Sequence, residues 1–218
     1  MNSVDLTLYL VTDRLDYEEE EFLGKLDAAL KGGVTLVQLR EKKIGGREYL
    51  ELAEKVKRLT DRYGVPLIID DRVDVAMAVD AAGVHVGQSD LPVSAARKLL
   101  GADKIVGATA KTVEQAKTAW KEGADYLGIG AIYPTTTKVK TVLTPVSMLN
   151  EILAKVPVPA IAIGGLGREN MHVLEESLVS GIAVVSAVMK APDAQRAASE
   201  LKEAVEAMPG FRKRRLRA

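Results

Sequence analysis

Short apolar segments alternate with amphipathic ones from one end of the chain to the other. Leu6–Thr12, Leu36–Arg40, Leu67–Asp70, Gly83–Val86, Ile105–Thr109, Tyr126–Gly130, Ala160–Ile163 and Ile182–Ser186 are each about five residues and rich in Val, Ile and Leu. Runs of that kind are strands covered on both faces, as in parallel sheets. Between them the apolar positions change to helical spacing. Tyr49, Leu52, Ala53, Val56, Leu59 and Tyr63 follow a 3–4 rhythm, with Gly64 where a C′ residue belongs. Asp16 with Glu19 predicts a capping box for the first helix, which Gly32-Gly33 ends. Thr112, Pro145 and Pro92 suit helix starts.

Eight βα repeats in about 200 residues predict an α/β chain folded as a single-domain TIM (β/α)8 barrel. A doubly wound open sheet is the alternative, although it usually has fewer strands. No composition break divides the chain, so residues 1–210 read as one barrel domain and 211–218 as a basic tail, solvated and disordered. Trp120 and the Leu/Ala stripe around it read as core.

The polar residues that break this pattern gather at strand C-termini, the edge where TIM barrels keep their chemistry. Gln38, Arg40 and Lys42 stand two apart and so share one strand face with Leu36, while Val37 and Leu39 face a covering helix. Two cations at a buried strand end require an anion, either a protein carboxylate or a phosphorylated ligand. Asp70-Asp71 follows the third strand and Gly87-Gln88-Ser89-Asp90 the fourth. Thr109 ends the fifth, with Lys111 two residues on; Thr135-Thr136-Thr137-Lys138 follows the sixth. Gly164-Gly165-Leu166-Gly167 follows the seventh, and Val185-Ser186 closes the eighth, where Ser186 begins the last helix. Asp71 and Asp90 with phosphate oxygens suit Mg²⁺, which uses few carboxylates. Arg40, Lys42 and Lys138 suit the phosphates. The glycines allow backbone to approach an anion. Individually, each has a plainer reading: a helix cap at Asp70-Asp71, a tight turn at Gly164–Gly167, a polar loop at Thr135–Thr137. His85 and His172 read as structural.

The bulk composition narrows partners only by exclusion. Lys+Arg and Asp+Glu both number 30 in 218 residues, which calls for neither nucleic acid nor an anionic membrane. Five basic residues crowd positions 212–217, leaving the remainder at a net of −5. There is no Cys, hence no thiolate chemistry. No apolar run approaches ~20 residues, and the N-terminus lacks a signal-peptide pattern, so a cytoplasmic protein is expected. The oligomeric state is left open, a homo-oligomer included.

The ordered segments Val37–Lys42, Asp70–Asp74, Gly83–Asp90, Gly128–Gly130 with Tyr133–Lys138, Ile163–Gly165 and Val184–Ala187 resemble the thiamine-phosphate synthase family, from Tyr9–Asp13 to about Val188. The resemblance implies a Mg²⁺-dependent transferase of the EC 2.5.1 type. It would join a hydroxymethylpyrimidine diphosphate to a thiazole phosphate and release diphosphate. It also implies that Gln38, Arg40, Lys42, Asp70, Thr109 and Lys138 contact the pyrimidine diphosphate, with Leu39 and Glu41 carried along in the same segment. Asp71 and Asp90 would hold Mg²⁺. Thr135, Thr136, Thr137, Gly165, Val185 and Ser186 would hold the thiazole phosphate. Against the family pattern, Asp70 replaces the commoner Asn, Thr109 the usual Ser, and Lys111 a frequent His, the residue a related thiazole tautomerase is expected to use. A tautomerase-like relative and a non-catalytic phosphate sensor are the competing readings.

Overall fold

The computed structural model describes residues 4–135 and 142–216. Its strands are β1 (Leu8–Val11), β2 (Leu36–Leu39), β3 (Leu67–Asp70), β4 (Gly83–Val86), β5 (Ile105–Ala110), β6 (Tyr126–Gly130), β7 (Ala160–Ile163) and β8 (Gly181–Val184). All neighbours are parallel, and β8 pairs back onto β1 at Tyr9↔Ala183, closing the barrel. The open-sheet alternative is thereby excluded. The principal outer helices are α1 (Glu19–Lys31), α2 (Gly46–Arg62), α3 (Val73–Ala78), α4 (Val93–Leu100), α5 (Val113–Lys121) and α6 (Val146–Lys155). The chain finishes with α7 (Ser186–Met189), α8 (Ala194–Ala207) and α9 (Pro209–Arg215). Among the described residues, no helix is long and apolar enough to cross a membrane.

Strand parity sorts the side chains into two bodies. Leu36, Tyr9, Ile68, Ile105, Tyr126, Ile161 and Ala183 point inward and fill the barrel. Val37, Leu39, Ile69, Val84, Leu127 and Ala162 point outward against the helices. Burying each aliphatic side chain there contributes about 2 kcal/mol. The β2 faces expected from the sequence are observed for Leu36 and Gln38 inside and Val37 and Leu39 outside, whereas the strand ends before Arg40 and Lys42. Helix α8 seals the seam over α1, where Gly32 is obligatory: a Cβ there would lie 2.2 Å from the Gln195 carbonyl oxygen.

Several local expectations need correction. Asp16 caps nothing; Glu18 is the N-cap of α1, without a side-chain cap bond, and the acidic Glu19–Glu21 turn supplies the favourable dipole interaction instead. Trp120 is 38% exposed. Helix α5 buries Val113, Ala116 and Ala119 instead. As far as Arg215 the basic end is helical rather than disordered. Pro209 sits in the first turn of α9, Phe211 is 3% exposed, and Gly210 N–H donates to the Glu175 carbonyl at 2.7 Å. Arg212, Lys213 and Arg215 still face solvent.

Pro92, Thr112 and Pro145 open α4, α5 and α6 as the sequence suggests, and the Thr112 side chain accepts from Gln115 N–H at 3.2 Å. Thr112→Ala should cost about 1 kcal/mol, read as a lower denaturant midpoint at unchanged m-value.

Candidate active site

Strand β2 aims Gln38 into the barrel mouth, and the chain beyond it carries Arg40 and Lys42 to the rim. The anion they require comes from the end of β3. Lys42 Nζ lies 2.7 Å from Asp70 Oδ2 and also bonds Asp71, while Arg40 Nε is 3.8 Å from Asp70. Arg72 pairs with Asp74 instead. The Lys42–Asp70 approach is ionic but poorly aligned, so buried Asp70 Oδ2 has charge opposite it and no directed hydrogen bond. Burial pushes the Asp70 pKa up, only partly offset by Lys42 and Arg40. Burial pulls that of Lys42 down, but Asp70 and Asp71 more than compensate, and the ammonium is held charged.

Asp70 and Asp71 do not cap a helix: Arg72 is the N-cap of α3, again without a side-chain bond. Asp71 instead adopts a left-handed backbone, φ +59°. That conformation is uncommon outside glycine, though Asp is among the residues that tolerate it. Asp90 joins from the β4 loop, its Oδ2 accepting Gly87 N–H at 2.9 Å. Burial and the adjacent Asp71 carboxylate push its pKa up. Two hard-oxygen carboxylates pressed together, beside an acid lacking an aligned donor, form a donor set suited to a divalent cation. Among the described residues no three acidic, His or Cys side chains form a ready cage, so substrate oxygens would complete the shell.

Deeper in the barrel a continuous polar chain crosses from β2 to β5. Gln38 Nε2 donates to Tyr9 Oη at 2.8 Å, and Tyr9 Oη lies 2.7 Å from Tyr126 Oη. Tyr126 Oη lies 3.0 Å from His85 Nδ1, and His85 Nε2 lies 3.0 Å from Thr109 Oγ1. Glycines make the room. A Cβ on Gly107 would sit 2.1 Å from Tyr126 Cζ, and one on Gly128 would sit 3.2 Å from His85 Cε1.

The opposite rim of the same cavity is formed by Thr135, Gly164, Gly165, Val185 and Ser186. Gly165 has φ +63°, and a Cβ there would meet the Pro134 carbonyl oxygen at 2.6 Å. Ser186 begins only the one-turn α7, not the last helix. Thr136, Thr137 and Lys138 lie outside the described residues. Lys111 lines the cavity, with Nζ 3.0 Å from the Val142 carbonyl oxygen. Leu39 faces the helix shell, where its carbonyl accepts from Tyr49 Oη at 2.7 Å. Glu41 is half-buried and outside the cavity lining. The other histidine, His172, is exposed on a 3-10 turn, Met171–Leu174.

This arrangement has close relatives. A profile described as thiamine monophosphate synthase matches residues 8–188. The chain belongs to that family. A thiamine-phosphate synthase of Lacticaseibacillus paracasei is 50% identical over 208 residues, covering 95% of this chain and 98% of that one. A thiamine-phosphate synthase 2 of Streptococcus pneumoniae is 54% identical over 193 residues, covering 88% and 92%. The solved thiamine phosphate pyrophosphorylase of Pyrococcus furiosus superposes with a TM-score of 0.84 at 40% identity, over 94% of this chain and 98% of that one.

Family membership does not by itself explain the interior chain. Tyr9 and Tyr126 escape notice in the sequence because buried tyrosines pass for core, and His85 passes for a structural residue. One signal was present: Gly107 is the register partner of Tyr126. A glycine inside a strand marks a close approach by another group.

Proposed function

We propose that the protein joins a hydroxymethylpyrimidine diphosphate to a thiazole phosphate, giving thiamine phosphate and diphosphate. The observation that carries this reading is the Arg40–Lys42–Asp70–Asp71–Asp90 cluster, which reaches through Arg40 and Asp70 a cavity whose opposite side is glycine- and hydroxyl-lined. Such a cluster suits a diphosphate with a divalent cation, and the glycine rim suits a second phosphate.

In this reading Arg40, Lys42 and Lys138 neutralise the diphosphate, and Gln38 and Thr109 orient the pyrimidine. Asp70 holds the two β2 cations in place. Thr135, Thr136, Thr137, Gly165, Val185 and Ser186 hold the thiazole phosphate. Asp71 and Asp90 would hold Mg²⁺, which when bound offsets charge developing on the departing diphosphate. The C–O bond to diphosphate breaks with its electron pair leaving on oxygen. The pyrimidinylmethyl cation is then captured by the thiazole nitrogen lone pair, forming the C–N bond. The residues contribute position and preorganised charge, and no protein nucleophile is required. The reading places the chain among cytoplasmic enzymes acting on small molecules, without a nucleic-acid or membrane partner. The tautomerase reading is disfavoured because it has no use for the cation–carboxylate cluster.

The test is diphosphate release and thiamine phosphate formation by the purified protein with both substrates, with and without chelator. Release that ignores chelator, or needs only one substrate, would refute the reading. Arg40→Ala should raise KM for the pyrimidine diphosphate by roughly 10–100-fold, the worth of a charge-assisted contact. KM for the thiazole phosphate should hardly move, and equal losses would contradict separate pockets.

A further inference from the structure

The interior chain from Gln38 to Thr109 has a direction, and the direction has a consequence for recognition. Each phenol owns one proton. Gln38 spends an amide N–H on Tyr9 Oη, so the Tyr9 proton goes to Tyr126 and the Tyr126 proton to His85 Nδ1. The imidazole then carries its proton on Nε2 and gives it to Thr109 Oγ1. At the two ends, Gln38 is left with its carbonyl oxygen for the cavity and Thr109 with its hydroxyl proton. Both residues line that cavity. Burial holds both tyrosines above their ordinary pKa, so neither proton is lost at neutral pH.

The Gln38 carbonyl oxygen suits the exocyclic N–H of an aminopyrimidine, and the Thr109 hydroxyl suits a ring nitrogen. The corresponding pyrimidinone presents a carbonyl oxygen where the amino group stood, so it sets an acceptor against the Gln38 acceptor. We propose that Tyr9, Tyr126 and His85 are positioning residues that fix the polarity of Gln38 and Thr109, and thereby select an aminopyrimidine over its pyrimidinone counterpart. This rests on the reading of the substrate given above. A site built to hydrogen-bond one pattern discriminates strongly, because the wrong partner leaves buried polar groups unmatched.

The test compares kcat/KM for the aminopyrimidine diphosphate and the pyrimidinone diphosphate in wild type and Tyr126→Phe, which cuts the chain at its centre. Wild type should prefer the amino compound by about 100-fold or more. Tyr126→Phe should shrink that ratio by about tenfold or more, with KM for the thiazole phosphate changed by less than about twofold. A merely structural tyrosine would lower thermal stability and both kcat/KM values together, leaving the ratio intact; that result overturns the proposal, as does a wild type that favours the pyrimidinone. If Tyr126→Phe does not fold, Tyr9→Phe cuts the same chain one link nearer Gln38 and is held to the same criterion. Failure of wild type to form thiamine phosphate at all would refute the substrate reading itself. Product with an unchanged ratio refutes only the polarity relay.

Discussion

Asp90→Asn is expected to lower turnover by at least ~100-fold while leaving the folded protein as stable as wild type, or more so, at neutral pH. The activity loss follows from removing one of two carboxylates that would hold Mg²⁺. The stability result follows from the electrostatics already on the rim. Burial and the neighbouring Asp71 raise the Asp90 pKa in the folded state. A carboxyl group with a raised folded-state pKa stabilises the fold below the ordinary carboxylate range. That contribution is lost as pH rises through the raised value. At neutral pH the wild type therefore bears the repulsion in full and asparagine does not, while the amide oxygen can still accept from Gly87 N–H. The Tm difference between variant and wild type should be small in acid and grow toward neutral pH, and added Mg²⁺ should raise the Tm of wild type more than that of the variant. Near-wild-type turnover at saturating Mg²⁺ would remove Asp90 from the metal assignment.

Gly107→Ala is expected to be among the most destabilising single-methyl changes in the barrel. The new Cβ would lie 2.1 Å from Tyr126 Cζ and 2.4 Å from Oη. That ring cannot swing aside cheaply: it is fully buried, and its hydroxyl is held by Tyr9 and His85. Overpacking of this kind costs on the order of 2 kcal/mol, about 4–8 °C in a chain of this size, before any loss of the polar chain is counted. Thermal unfolding checks it, and pairing Gly107→Ala with Tyr126→Leu tests the cause. If the clash is with the ring, the double variant should be more stable than the sum of the two single losses predicts. Simple additivity would point to backbone strain instead.

The barrel was legible because eight short apolar runs alternate with helical spacing, and strand parity carried Leu36 and Gln38 to one face with Val37 and Leu39 on the other, while Arg40 and Lys42 reach the rim from the chain just past β2. The acidic partners were legible as strand-end residues, but the distribution of pairs was not. Asp70 takes Lys42 and Arg40, while Arg72 turns away to Asp74, because the left-handed turn at Asp71 redirects the chain just there. Trp120 and the C-terminal residues were misjudged for one shared reason. Local composition sets neither which residues of a helix reach the core nor whether one buried ring such as Phe211 orders a charged segment. Tyr9 and Tyr126 were invisible as site residues because linear order separates them by 117 positions, whereas closure of the barrel brings their hydroxyls together.

The polar chain through the barrel also bears on how such a scaffold can change over evolutionary time. Gln38, Tyr9, Tyr126, His85 and Thr109 each depend on the neighbour's proton, and Gly107 and Gly128 exist in their present form because of the rings they accommodate. Substitutions within that set do not act independently. A lineage drifting toward another ring system would find most single steps there harmful, and the order in which they occurred would matter. The rim loops, where side chains meet solvent and contacts are local, leave much more freedom. New specificity should therefore arise first at the rim, with the interior replaced as a block or retained unchanged.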